Sequence, residues 1–308
     1  MRGAGIQAYG GAVQLLDLPA TEISDPCQLL IAVHAAGVAN WDDFVRTGRW
    51  DVGATPPMAL GVEAAGVVRA VGAAVARFRV GDEVLTHSVP LPQGAWAELL
   101  VVPEDHAARQ PAGMSVPVAG LLPVPALTAA QVLAEAVALQ PGERVLIHGA
   151  GGITGGVLAA VAADMGGWVI ATAGPASAER VRGYGASVVL DYHQPDWPRE
   201  VRRLTDGGVP VAVNAVPGAA SSLLPLVLDG GRLATITTDP PPGERDIRVS
   251  NVYVSSDGLL LEQLATRFAQ RGFAIPISGV HSLSEAGRVL AEVASGRAAG
   301  GVVLDPRR

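Results

Sequence analysis

The chain has 308 residues, is 49% hydrophobic and 17% charged, and carries a formal net charge of −7 at pH 7. It can supply two domains and a large core, which excludes wholesale disorder. The acidic balance without a basic tract argues against nucleic acid and anionic membrane as partners. No apolar run has the length of a membrane span and no leader pattern opens the chain, so a cytoplasmic protein is expected.

The first 110 or so residues read as β-rich. Short β-prone runs at Leu29–Val33, Ala64–Val71, Glu83–Thr86 and Ala97–Val102 are separated by Gly, Pro and Asp turns. From Ala126 the texture changes to strands alternating with helices. Helices are expected over Leu127–Leu139, Val157–Met165, Ala178–Tyr184, Pro198–Leu204 and Ala220–Val227. Strands are expected over Val145–Ile147, Val169–Thr172, Val188–Leu190, Val211–Ala215, Arg232–Thr237 and Asn251–Ser255. Repeated β-α units imply right-handed crossovers and a parallel sheet covered on both faces. A helix over Leu259–Gln270 and a strand, helix and strand over 275–304 close the chain. The expected division is a dinucleotide domain over 120–258 and a β-rich domain over 1–119 to which 259–308 returns.

The most informative segment runs from Val145 to Gly156. An apolar strand stops in Gly149, Gly151, Gly152, Gly155 and Gly156, and an Ala/Val/Leu helix follows. Glycines permit a sharp turn and close backbone approach, and a helix start offers free N–H groups with a partial positive charge. A dinucleotide pyrophosphate suits that place, although Thr154 stands where the simple GxGxxG pattern has its last glycine. The alternative is a glycine-rich turn with no ligand. An NAD-type site places an acid after the second strand, for the ribose 2′-hydroxyl. Here the run Ala171–Ser177 contains none, and Arg180 and Arg182 follow Glu179. That points to NADP(H), with Ser177 and Arg180 at the 2′-phosphate; the alternative is that Arg180 and Arg182 are solvated helix charges.

Cys27 is the single cysteine, so neither an internal disulfide nor a multi-cysteine zinc site can form. Lysine is absent; all 22 basic residues are arginine, which excludes Schiff-base chemistry and a lysine base.

In order and spacing the chain resembles the zinc-independent quinone oxidoreductase and enoyl reductase branch of the medium-chain dehydrogenase/reductase superfamily. The resemblance rests on Val33–Val38, Arg46-Thr-Gly48, Gly61–Val68, Val71-Gly72, Phe78–Val84, Gly94–Glu98, Leu127–Ala130, His148–Gly155, Gly185-Ala186, Val189–Tyr192, Gly230–Arg232 and Ser295–Arg297. It implies an α/β fold: a Rossmann doubly wound parallel sheet beside a β-rich GroES-like domain. It also implies hydride transfer from NADPH to a quinone or an activated C=C bond of a small, apolar, conjugated substrate.

The implied cofactor residues are Thr128, Ala150, Gly152, Ile153, Thr154, Gly155, Thr172, Ser177, Arg180, Tyr192, Asn214, Ala215, Val216, Thr237, Val252 and Val254. Thr128 is equally open to a helix N-cap role, and Tyr192 to packing beside its loop. The catalytic candidates are Asn40, Asp42 and Trp50. Trp50, Phe44 and the apolar loop Pro90–Pro92 would offer flat, greasy contact. No metal is expected, because Val62 stands at the zinc-ligand histidine and Val38-Ala39 supply no cysteine. A homodimer through the sheet edge near Val252–Val254 is implied by the resemblance.

Several positions depart from the family pattern. Ala39 stands where many relatives carry Asn, Trp50 where many carry Tyr, and Gly300-Gly301 where a Gly-Lys pair is usual. A cofactor-binding homologue with a structural or regulatory role, or a dedicated enoyl reductase of polyketide type, therefore remain alternatives.

Overall fold

The computed structural model describes residues 1–89 and 93–308; the apolar loop Pro90–Pro92 lies outside the described residues. The chain divides into two compact units, one of 1–124 with 256–308 and one of 125–255.

The second unit is built on six parallel strands. Their order is Val188–Leu190, Trp168–Thr172, Arg144–His148, Val209–Asn214, Val227–Thr235 and Arg248–Asn251. In chain sequence this is 3-2-1-4-5-6, the doubly wound order of dinucleotide-binding sheets. The central strands are apolar throughout because helices cover both faces: Val145, Leu146, Ile147, Val211, Ala212 and Val213 are fully buried. Their buried polar residues collect at the carboxyl ends, at His148, Thr172, Asn214 and Thr235.

Several elements depart from the sequence expectation. The helix expected over Ala220–Val227 is only Ala220–Leu223, followed by a 3₁₀ turn at Leu224–Leu226 and the strand Val227–Thr235. Pro225 ends it, having no N–H to donate to the preceding turn. The strand expected at Asn251–Ser255 is Arg248–Asn251, which leaves Val252 and Val254 beyond it. In addition, the helix expected over Leu127–Leu139 is Pro123–Gln131, continued by a π-helical turn at Val132–Ala136.

The first unit centres on the 11-residue strand Gln28–Val38. It pairs antiparallel with Glu63–Val71 along one edge. Along the other it pairs with Leu99–Pro103 and then Gly301–Leu304. Glu83–His87 and Ala107–Arg109 extend the sheet on one side and Ile277–His281 on the other. A three-stranded sheet of Gln14–Asp17, Arg2–Ile6 and Met58–Ala59 lies alongside. Inside, Ile6, Leu29, Ile31, Met58, Leu60 and Trp96 are fully buried, and Trp96 Nε1 donates to Gly37 O at 2.8 Å. Among the described residues no helix is long and apolar enough to cross a membrane.

Candidate functional site

Strand Arg144–His148 leads into the glycine turn and then into helix Ile153–Asp164. Gly149 has φ +90°, a conformation in which other residues are strained. A Cβ at Gly155 would stand 2.1 Å from Gly149 O, so the helix start and the turn touch through backbone alone. Beside Gly152 a Cβ would find only Gly149 O, at 3.5 Å, so the surface over the turn is open. Gly152 is the N-cap and provides no side-chain cap, which leaves the first helical N–H groups for a ligand.

The turn is held from behind by polar groups of neighbouring strands. Thr172 Oγ1 accepts the Gly149 N–H at 2.9 Å and lies 2.8 Å from His148 Nδ1. His148 stacks on Trp197 with ring centroids 5.1 Å apart, and burial holds its pKa below the usual histidine range. Ser177 Oγ donates to Gly174 O at 3.2 Å and sits 2.7 Å from the place of a Cβ on Gly151. Arg180 Nη2 donates to Gly151 O at 2.7 Å, and its guanidinium lies over the Tyr184 ring. Arg180 is thus tied to the turn itself. Tyr192 is exposed and packs against His193 with ring centroids 4.1 Å apart and the planes tilted by 31°.

Farther along the same edge, Asn214 Nδ2 donates to Val216 O at 3.0 Å and to Thr237 Oγ1 at 2.9 Å. Ala215 N donates to His148 O at 2.9 Å. Asp239, which the sequence reading did not single out, organises this corner. Its Oδ1 accepts the hydroxyls of Thr237 at 2.6 Å and Thr235 at 2.7 Å, and its Oδ2 accepts Ala220 N–H at 3.2 Å. Burial opposes its charge, yet the Thr237 and Thr235 hydroxyls outweigh it and keep its pKa below the usual carboxylate range. The only sequence signal was an acid following a hydroxyl-rich strand end, Thr235–Thr238. Val252 N donates to Thr235 O at 3.0 Å. Thr128 lies inside helix Pro123–Gln131 and is buried, so it is not an N-cap.

The catalytic candidates lie in the other unit. Asn40 begins helix Asn40–Arg46. Asp42 is 1% exposed; its Oδ2 accepts the Ala39 N–H at 2.8 Å and its Oδ1 is buried without a partner. Trp50 is half-buried and packs on the core. Two further buried groups accompany Asp42. Glu63 accepts the Val124 N–H at 2.9 Å and packs its carboxyl over Gly37, where a Cβ would fall 2.5 Å from Oε1. His87 pairs across the strands with Glu63. Its Nδ1 lies 3.0 Å from Ser256 Oγ, and its Nε2 is buried without a partner. Burial pushes both carboxyls up to about 8; burial and then His106 push His87 down to about 4. All three groups are therefore uncharged at neutral pH.

Residues 25–112 match the alcohol dehydrogenase GroES-like domain, and residues 184–304 match the zinc-binding dehydrogenase family. A quinone oxidoreductase of Pseudomonas aeruginosa is 34% identical over 65% of this chain and 61% of its own length. A mycocerosic acid synthase-like polyketide synthase of Mycobacterium tuberculosis is 33% identical over 72% of this chain but 10% of its own. The chain thus spans less than two thirds of either relative. Among solved structures, a Pseudomonas syringae quinone oxidoreductase superposes with TM-score 0.86 at 26% identity, covering 99% of both chains. A mycobacterial protein complexed with NADPH does so with TM-score 0.84 at 27% identity, over 99% of this chain and 100% of that one. The donor set here does not fit the zinc in the second family's name. Val38, Ala39 and Val62 offer no ligand atom, Cys27 is exposed, and no group of three or more His, Cys, Asp or Glu among the described residues could hold a metal.

Proposed function

Because the chain belongs to the medium-chain dehydrogenase/reductase superfamily, in its quinone oxidoreductase and enoyl reductase branch, we propose that it is a zinc-independent oxidoreductase that uses NADP(H) to reduce a quinone or an activated C=C bond. One observation carries the reading. An open glycine turn and an uncapped helix start stand at the carboxyl end of the first strand of a 3-2-1-4-5-6 sheet, and no acid follows the second strand. When bound, the reduced nicotinamide supplies a hydride.

The chain's own residues then have separable tasks. Ala150, Gly152, Ile153, Thr154 and Gly155 surround the pyrophosphate, with Thr172 bracing the turn. Ser177, Arg180 and Tyr192 border the adenosine end, Arg180 through its hold on Gly151 O. Thr128, Asn214, Ala215, Val216, Thr237, Val252 and Val254 line the nicotinamide end. Negative charge that develops on a substrate oxygen needs N–H donors, a hydroxyl or water, since the described residues hold no group of three or more metal-ligating side chains. Asp42 anchors the backbone at Ala39 and so fixes Asn40; being buried, it positions rather than donates, and the returning proton comes from water. Trp50 and Phe44 suit a flat conjugated substrate. Tyr253, exposed next to the sheet-edge strand Arg248–Asn251, supports pairing with a second copy.

Fluorescence titration with NADPH and NADH, followed by addition of 1,4-quinones and simple enones, tests this. Tighter binding of NADPH and its oxidation by at least one class are expected. If neither coenzyme binds, the reading is wrong; binding without turnover favours the non-catalytic alternative. The similarity to a polyketide synthase favours enoyl intermediates as the second substrate class to screen.

A further inference from the structure

The chain has no lysine, and Arg180, the guanidinium nearest in sequence to the end of the second strand, is turned onto Gly151 O and Tyr184. A 2′-phosphate at that strand end nevertheless requires a donor with positive charge. We propose that His193, oriented by Asp191, is the residue that recognises the 2′-phosphate of NADP(H). This rests on the reading of the turn as an NADP(H) site and names a specificity residue within it.

The geometry is local and consistent. Strand Trp168–Thr172 ends at Ala173-Gly174, and helix Pro175–Gly183 begins there with no side-chain cap. Into this corner comes His193 from the loop after strand Val188–Leu190. Its Cε1 lies 3.1 Å from where a Cβ on Gly174 would be, and the Tyr192 ring lies 3.6 Å from the same point. Asp191 Oδ1 accepts the His193 backbone N–H at 3.0 Å and lies 2.7 Å from its Nδ1. With Nδ1 donating to Asp191, a neutral ring leaves Nε2 as a bare acceptor, which phosphate oxygens repel. A protonated ring presents Nε2–H to the phosphate while Asp191 stabilises the charge. Phosphate binding therefore selects the imidazolium, and one proton is taken up for each NADPH bound to a neutral ring.

The other titratable groups on the elements packed around it are few. Its own loop carries Tyr192 and, besides Asp191, Asp196 at the N-cap of helix Trp197–Leu204. Helix Pro175–Gly183 carries Glu179 and Arg182, both exposed, and the committed Arg180. Helix Trp197–Leu204 carries Arg199, Arg202, and Glu200 paired with Arg203. Histidine is the side chain whose charge ordinarily changes between pH 5 and 8.

The test is the ratio of NADPH to NADH affinity, measured on the full chain by fluorescence titration from about pH 6 to about pH 8.5. The wild-type ratio is expected to fall roughly tenfold as pH rises, with NADH affinity flat. His193→Ala should lower the ratio by roughly tenfold at acid pH and abolish its pH dependence. His193→Arg should keep the preference and lose the pH dependence, an outcome that a merely structural role would not produce. Unchanged NADH affinity in each variant reports an intact fold. If His193→Ala binds both coenzymes with the wild-type ratio and pH profile, the assignment is overturned. If the wild type binds neither coenzyme, the NADP(H) reading falls and this inference with it.

Discussion

The two units bury polar groups in opposite ways. At the carboxyl edge of the parallel sheet, Thr172, Asn214, Thr235 and Thr237 are hydroxyls and amides, and the hydrogen bonds described above pair them with one another, with backbone, with His148 and with Asp239. Asn251 Oδ1 is the unpartnered buried atom of that unit among the described residues. In the β-rich unit, Asp42, Glu63 and His87 are titratable and almost fully buried, and two of them have an atom without a partner. The first arrangement gains rigidity from complementary bonds made by hydroxyls, amides and backbone, whose donors keep the one carboxylate among them, Asp239, below the usual carboxylate range. The second is tolerated only because each group gives up its charge. A ligand edge needs the former; the latter makes the stability of its unit sensitive to pH.

Three experiments would break or sharpen this contrast. The largest effect is expected from Gly155→Ala. The added methyl meets backbone of Gly149 at 2.1 Å and of Ala150 at 3.0 Å, none of which is a movable side-chain end. A loss of about 3 kcal/mol is expected in denaturant unfolding, together with loss of coenzyme binding. A variant with wild-type stability and affinity would show the edge to be far softer than described.

Thr172→Val keeps shape but deprives the half-buried Gly149 N–H and the buried His148 Nδ1 of their shared partner. It should cost about 2 kcal/mol by calorimetry and weaken the coenzyme without altering the pH dependence of stability.

The third and smallest effect concerns the carboxyls. Glu63 and Asp42 are pushed up to about 8 by burial, so the folded chain keeps protons that the unfolded chain has released. Their stabilisation is complete below the unfolded values and is lost as pH rises through about 8. His87 runs the other way. With its pKa at about 4 against 6.5 unfolded, its contribution is present above 6.5 and lost as pH falls through about 4. Between pH 6.5 and 8 the carboxyls act alone among these three groups. Stability should fall there as pH rises, each of the two carboxyls contributing up to about 1.4 kcal/mol per pH unit. Glu63→Gln keeps an acceptor for the Val124 N–H, so it should halve that slope and exceed the wild type in melting temperature at pH 8. A flat wild-type profile over this window would refute the uncharged cluster.

Much of the fold was legible because its signals are local. The glycine turn, the apolar strand before it and the small-residue helix after it lie within about twenty residues, a range over which backbone freedom and side-chain periodicity act directly. Pro225 was a local signal too, and it shortens a helix that the apolar pattern alone would extend. Other features were not legible. Asp239 reads as an ordinary loop acid until the strand pairing of Val209–Asn214 with Val227–Thr235 brings Asn214 and Ala220 to it. The hold of Arg180 on Gly151 O comes from the packing of its helix against the turn and carries no signal in the sequence.

The amino-acid sequence alone determined the alternation of strand and helix and the place of the glycine turn, since spacing and glycine conformation are properties of neighbours along the chain. Only the tertiary structure decided that Asp42, Glu63 and His87 share one interior and that His193 rather than Arg180 stands beside Gly174. Burial and hydrogen-bond partners are set by residues far away along the chain, such as Val124 for Glu63 and Ser256 for His87, through contacts that no local pattern encodes.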